Sequence, residues 1–152
     1  MNKHFLNKRL AHQIGFAGLI PFGLLMLACW LVDVTWLPTF VNGQLVYGVI
    51  VLSFLGGIHW GAIMVSSELS ASQTKRALYW SITPAIIACI ATMSRNFHLA
   101  VLIAGFIASY QVDKRLYQWY KLADWFIRLR FVLTCVAASA LALTLIGANI
   151  RG

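Results

Sequence analysis

His59 lies in the middle of Ser53-Phe54-Leu55-Gly56-Gly57-Ile58-His59-Trp60-Gly61, a stretch with no charged residue and small side chains at a regular interval. An ionisable group in such surroundings is costly in lipid and marks either a functional site or a ring bonded to a neighbouring helix. Ser53, Gly57 and Gly61 recur every four residues, a helix-packing seam along which another helix backbone can approach closely. At about 100° per residue, His59 points roughly 120–160° away from each member of that seam. It shares its face with Gly48, Leu52, Leu55, Ala62 and Ser66, while Trp60 lies nearer the glycine side and fills the gap left by Gly56. A helix with close-packing glycines on one side and an ionisable residue on the other belongs at the centre of a bundle.

A second polar stretch is Tyr79-Trp80-Ser81-Ile82-Thr83-Pro84. Pro84 cannot donate to the carbonyl of Trp80, so a kink is expected, with Ser81 or Thr83 meeting the freed groups. His59, Trp60, Ser81 and Thr83 form the candidate polar site. Burial favours neutral imidazole, which needs one donor and one acceptor partner, and Ser81 and Thr83 are the candidates. All four carboxylates, Asp33, Glu68, Asp113 and Asp124, fall outside the apolar runs. His12 and His98 sit at opposite ends of the bundle, so bis-histidine haem ligation is not expected. Cys29, Cys89 and Cys135 match no metal-ligand spacing and read as small hydrophobes. No G-x-S-x-G, H-E-x-x-H or phosphate loop is present. The sequence therefore predicts no catalytic residue, no cofactor and no metal.

The elements that must position these residues follow from composition. Of 152 residues, 61% are hydrophobic and 11% charged, and the mean hydropathy is +0.79. A soluble globule this small has too few polar residues to cover that much apolar surface. Disordered chains show the opposite bias. The composition defines an integral membrane protein, all-α because a barrel would need alternation. The formal net charge of +8 comes from basic residues at the ends of apolar runs. They point to a bilayer with anionic headgroups as partner, not nucleic acid.

Five transmembrane helices are expected in one membrane domain over residues 1–152, at 14–32, 45–65, 77–93, 98–112 and 129–148. The fourth, 15 residues long, gives only ~23 Å against a ~30 Å hydrocarbon core, so it crosses thinned lipid or forms a shallow hairpin with the third around Arg95 and Asn96. Residues 113–128 carry Leu116, Tyr120, Ala123 and Ile127 on one face and predict an interfacial amphipathic helix, the alternative being an irregular aromatic-rich loop. Ten basic residues (Lys3, Lys8, Arg9, Lys75, Arg76, Lys114, Arg115, Lys121, Arg128 and Arg130) fall on one side, against Arg95 and Arg151 on the other. That bias puts the N-terminus in the cytoplasm and the C-terminus outside. Arg128 and Arg130 then serve as lipid-facing anchors for the last span. A basic start and Leu27-Ala28-Cys29 also fit a cleaved lipoprotein signal, but the apolar run continues through Val32, which favours an uncleaved span.

Three segments in order, Phe54-Leu55-Gly56-Gly57-Ile58-His59-Trp60-Gly61, Ser81-Ile82-Thr83-Pro84 and Trp125-Phe126-Ile127-Arg128-Leu129-Arg130 with Leu133-Thr134, resemble the transmembrane protein 69 family, a domain of unknown function in bacteria and mitochondria. The resemblance covers most of the chain and implies a small multi-pass membrane protein without an established activity. In that family the position of His59 is often arginine, implying a polar or cationic requirement rather than one imidazole chemistry. Two functions follow. The first is a non-enzymatic protein of the bacterial inner membrane that packs with other membrane proteins or itself and aids their assembly. The second is binding or transport of a small hydrophobic or anionic ligand around His59. A tightly packed His59 favours the first, a water-accessible cavity there the second.

Overall fold

The computed structural model describes the backbone from Lys3 to Gly152 and the side chains from Lys8 onward, so Lys3 of the basic set lies outside the described side chains. Six α-helices follow in order: α1 (Lys3–Ala17), α2 (Ile20–Leu31), α3 (Leu37–Val65), α4 (Ala71–Met93), α5 (His98–Trp119) and α6 (Asp124–Arg151). A single 3₁₀ turn, Val34–Trp36, joins α2 to α3. Among the described residues there is no strand. Among the described residues four stretches, against the five expected, are long and apolar enough to cross a membrane: Lys8–Leu31, Val34–Val65, Ala71–Met93 and Asp124–Arg151; α5, with its charged last turns, is not one of them.

Two elements differ from the sequence expectation. No separate interfacial helix covers 113–128. Instead α5 runs unbroken to Trp119, the chain turns at Tyr120–Ala123, and α6 begins at Asp124. Lys121 makes that turn with φ of 53°, a left-handed conformation that ends a helix. With 22 residues, α5 is about 33 Å long, well beyond the ~23 Å expected of the fourth run. The polar stretch remains helical because Asp113 is neutralised inside the bundle, as described below. The second difference is a break in the first apolar run at Gly18–Leu19. Pro21 has no N–H to donate, and Leu19 N turns to Phe16 O at 3.0 Å. The hydroxyl of Tyr47 on α3 donates to Gly18 O at 2.7 Å. A backbone group freed at this depth must find such a partner.

Small residues set how closely the helices approach, since lipid provides no hydrophobic drive for helix–helix association. Buried Ala77, Ala88 and Ala91 line α4, and Leu52, Leu99, Leu102, Phe106 and Leu141 fill the centre. The tightest approach is at Gly56, where a Cβ would fall 2.1 Å from the backbone oxygen of Ser81. Gly57 and Gly61 have nothing within 4 Å of their would-be Cβ atoms. Within the chain, therefore, the close α3–α4 contact falls on Gly56, and the Ser53/Gly57/Gly61 row is turned outward. Pro84 Cδ lies 3.6 Å from the same would-be Cβ of Gly56, in ordinary contact. At its other end α4 starts on a capping box, with Gln73 N donating to Ser70 Oγ at 3.3 Å and Ser70 N to Gln73 Oε1 at 3.0 Å.

The ends of the bundle are tied separately. At the basic end, His12 packs tilted against Trp125 with ring centroids 5.4 Å apart, and Lys121 pairs with Glu68. At the opposite end, Arg151 donates to the carbonyls of Cys29 at 2.5 Å and Val32 at 2.6 Å, a cation on the exposed carbonyls of a helix C-terminus. Nearby, Gln44 donates to Thr144 Oγ1 at 3.2 Å and Phe22 O at 3.3 Å.

Gly56→Ala should lower stability by about 1–3 kcal/mol through overpacking against a backbone atom. Gly57→Ala and Gly61→Ala should be neutral or stabilise by up to about 1 kcal/mol from helix propensity. Thermal unfolding in detergent measures all three.

Candidate functional site

His59 is fully buried, at 0% exposure, but its partners are not those expected. Its Nε2 lies 2.8 Å from Asp113 Oδ1 on α5, and its Nδ1 lies 3.1 Å from the hydroxyl of Tyr120 in the α5–α6 turn. An ionised carboxylate can only accept, so the proton belongs on Nε2 and Tyr120 donates to Nδ1. Burial and, secondarily, the charge of Asp113 push the Tyr120 hydroxyl up to about 12, which keeps it a donor at physiological pH. Tyr117 stacks on the imidazole with centroids 5.4 Å apart and planes 28° from parallel.

Asp113 is 1% exposed and is the centre of the site. Its Oδ1 also accepts from Trp80 Nε1 at 3.2 Å, and its Oδ2 accepts from Arg130 Nη2 at 3.1 Å. Arg130, 4% exposed, turns its Nη1 to Thr134 Oγ1. Thr134 in turn donates to Arg130 O at 2.9 Å. One cation and one anion cancel, and a neutral His59 leaves the cluster without net charge, the condition for keeping it out of water. The helices α3, α4 and α5 contribute His59, Trp80 and Asp113, α6 contributes Arg130 and Thr134, and the α5–α6 turn contributes Tyr120.

Three sequence expectations are corrected here. Asp113 is inside the bundle rather than beyond a span, because α5 continues past it. Arg130 is not a lipid-facing anchor: its guanidinium is consumed by Asp113 and Thr134. Arg128, two residues earlier on the opposite side of α6, is exposed. Ser81 and Thr83 do not serve His59. They bond their own helix, Ser81 Oγ to Leu78 O at 2.6 Å and Thr83 Oγ1 to Tyr79 O at 3.0 Å, so neither relieves the carbonyl of Trp80. Trp60 points outward at 46% exposure. The polar residues that sequence reasoning missed are Asp113, Trp80, Tyr120 and Arg130 as one group. The available signal was an acid and an arginine in apolar surroundings, 17 residues apart across a turn.

The arrangement can hold a charge pair inside the bundle and satisfy both nitrogens of the imidazole. It offers no open face at the imidazole. Among the described residues no group of three His, Cys, Asp or Glu side chains comes together as a metal site. His12 and His98 remain apart, each on a backbone carbonyl, of Lys8 at 2.8 Å and of Arg95 at 2.9 Å.

Long apolar helices closed around a buried, charge-balanced cluster define a multi-pass helical membrane protein. Residues 7–146 match the family described as "Protein of unknown function (DUF3429)", and the chain belongs to that family. It is 35% identical to Transmembrane protein 69 of Xenopus tropicalis over 92% of this chain and 55% of that protein. The mouse (Mus musculus) Transmembrane protein 69 is 33% identical over 92% of this chain and 57% of its own length. The chain thus spans little more than half the length of these curated relatives. No solved structure matches it.

Asp113→Asn or Arg130→Met alone leaves a buried charge unpaired and should cost about 3–5 kcal/mol. The double variant should lose clearly less than the sum, which a double-mutant cycle in detergent reads directly. The exposed Glu68–Lys121 pair behaves differently with pH. Lys121 holds the Glu68 carboxyl below its ordinary 4.5, so any stabilisation is present above that value and is lost as pH falls through the depressed one. The melting difference between the parent chain and Glu68→Gln should accordingly be seen at neutral pH and vanish in acid.

Proposed function

We propose that this chain is a non-enzymatic five-span protein of the bacterial inner membrane that packs against other membrane proteins and aids their assembly. The spans are α1 with α2, then α3, α4, α5 and α6, with the N-terminus in the cytoplasm and the C-terminus outside. The observation that carries the reading is the state of His59: it has no exposure and both ring nitrogens are bonded within the chain. A ligand at the imidazole would have to displace Tyr120 or Asp113. The polar cluster then serves as an internal clamp, leaving the outer surface for association. Exposed Gly57 and Gly61, with open space beside them, offer the close approach that another transmembrane helix needs. The orientation rests on the excess of Lys and Arg at the end holding the 66–70 loop and the 120–123 turn. Exposed Lys8, Arg9, Lys75, Arg76, Arg115 and Arg128 at that end suit anionic headgroups.

A photo-crosslinking residue at Phe54 or Trp60, on the flanks of the glycine row, should capture a discrete membrane-protein partner or a second copy in intact membranes. Gly57→Leu with Gly61→Leu should melt like the parent yet lose that adduct. Full rescue of a deletion phenotype by that double variant, with no adduct from the parent, would refute the assembly role. Reporter fusions after Arg9, within 70–76 and within 115–122 should read cytoplasmic, and those near Asn42 and after Arg151 external. A cytoplasmic C-terminus would remove the five-span topology.

A further inference from the structure

A groove of about 430 Å³ opens between the basic-end halves of α4 and α5. The two helices run antiparallel, so the residues that line it fall into levels. Arg76 and Trp119 form the rim, Tyr79, Trp80 and Arg115 the middle, and Thr83 and Val112 the deepest level. From Arg76 to Thr83 the groove descends about 10 Å along α4. Cations and aromatic rings stand at its mouth, the side chains that suit a headgroup layer.

The two arginines have nothing to pair with inside the chain. Among the described residues the only arginine side chains bonded within it are Arg130 and Arg151. No carboxylate lines the groove. Asp33 caps the turn at the opposite end, Glu68 holds Lys121, Asp113 holds Arg130, and Asp124 starts α6. Two guanidinium groups on one groove without an acid call for an anion from outside, and their planar forks match the oxygens of a phosphate. The wall beside them is fixed, because Trp80 donates its Nε1 to Asp113 Oδ1 at 3.2 Å.

Below the cations the surface turns apolar. Thr83 spends its hydroxyl on Tyr79 O at 3.0 Å, which leaves its methyl group and Val112 to form the deep level. Arg76, Tyr79, Thr83, Ile86 and Ile90 succeed one another at steps of three or four residues, a single stripe of α4. Ile86 and Ile90 are exposed, so the apolar surface continues from the groove down the outside of the bundle. A soluble phosphate would use only the mouth. A molecule that joins a phosphate to an acyl chain uses the whole length.

We infer that this groove is a specific site for one anionic phospholipid, of the class whose phosphodiester carries no amine. The phosphate lies between Arg76 and Arg115, and one acyl chain follows Thr83 and Val112 onto Ile86 and Ile90. A zwitterionic headgroup would bring its own ammonium against the two guanidinium groups. The inference rests on the reading that this end meets anionic headgroups, and narrows it from a charged surface to one seat.

The test offers the full chain, purified in detergent, equal amounts of dioleoyl phosphatidylglycerol and dioleoyl phosphatidylcholine, and native mass spectrometry counts the lipid retained. The parent should prefer the glycerol lipid, and Arg76→Gln with Arg115→Gln should cut that preference about tenfold. Both side chains are exposed, so this variant should melt like the parent. Arg9→Gln with Arg128→Gln removes the same charge elsewhere at the basic end and should change the preference by less than about twofold. Thr83→Trp keeps both arginines but fills the groove, and should lose the preference too. Equal losses from the two double variants would overturn the site and leave the general attraction to anionic headgroups standing, whereas no preference in the parent would remove both. An unmoved preference in folded Thr83→Trp, or displacement of the lipid by an equal concentration of glycerol phosphate, would overturn the lipid as occupant. Should Thr83→Trp fail to fold, the comparison of the two double variants decides alone.

Discussion

The structure depends on one carboxylate. Asp113 is buried among apolar helices, where an unpaired charge is costly, and it receives hydrogen bonds from His59, Trp80 and Arg130, on three different helices. Desolvation of an ion pair offsets much of its attraction, so the cluster is weak evidence of stability in itself. Its stronger effect is on specificity. Any alternative register of α3, α4 or α6 against α5 leaves the carboxylate or the guanidinium without its partner. Apolar packing in lipid discriminates poorly among such registers, because one leucine surface fits another about as well as it fits a lipid tail.

Other features follow from that centre. The α3–α4 contact at Gly56 and Pro84 sets the spacing at which Trp80 reaches Asp113. The left-handed Lys121 turns the chain so that α6 can return Arg130 to α5, and it leaves Tyr120 at the rim as the last hydrogen bond of the group. The opposite end relies on backbone carbonyls instead: Arg151 and Trp30 tie α2 to α6 without any carboxylate. One end of the bundle is thus fixed through side-chain charge and the other through helix-end dipoles.

The apolar runs, the Arg95–Asn96 turn and the inward position of His59 were legible in the sequence, because each depends on local composition. The identity of its partners was not. Periodicity places His59 on a face but says nothing about which helix lies opposite, and hydropathy averaging ends the fourth run at Asp113 because it scores each charge as if unpaired. That error also produced the interfacial helix and made Arg130 an anchor. The glycine row was misleading for a related reason: spacing by fours identifies a smooth strip of surface, whereas the backbone contact at Gly56 depends on Pro84 from another helix. The break at Gly18–Leu19 carried a readable sign, Pro21 three residues after Gly18, that the strength of the surrounding hydropathy hid.

The order in which the chain is made gives the Asp113–Arg130 pair a further consequence. Asp113 leaves the ribosome 17 residues ahead of the arginine that neutralises it, and α5 is complete before α6 has begun. Until that arginine arrives, the carboxylate has only an imidazole and an indole to meet it, and an unpaired buried charge is costly. The packing of α5 against α3 and α4 is therefore completed only when the turn at Lys121 has brought α6 back beside it. A chain truncated between α5 and α6 would keep Asp113 without its cation, so the unit of assembly for the second half of this protein is the helix pair.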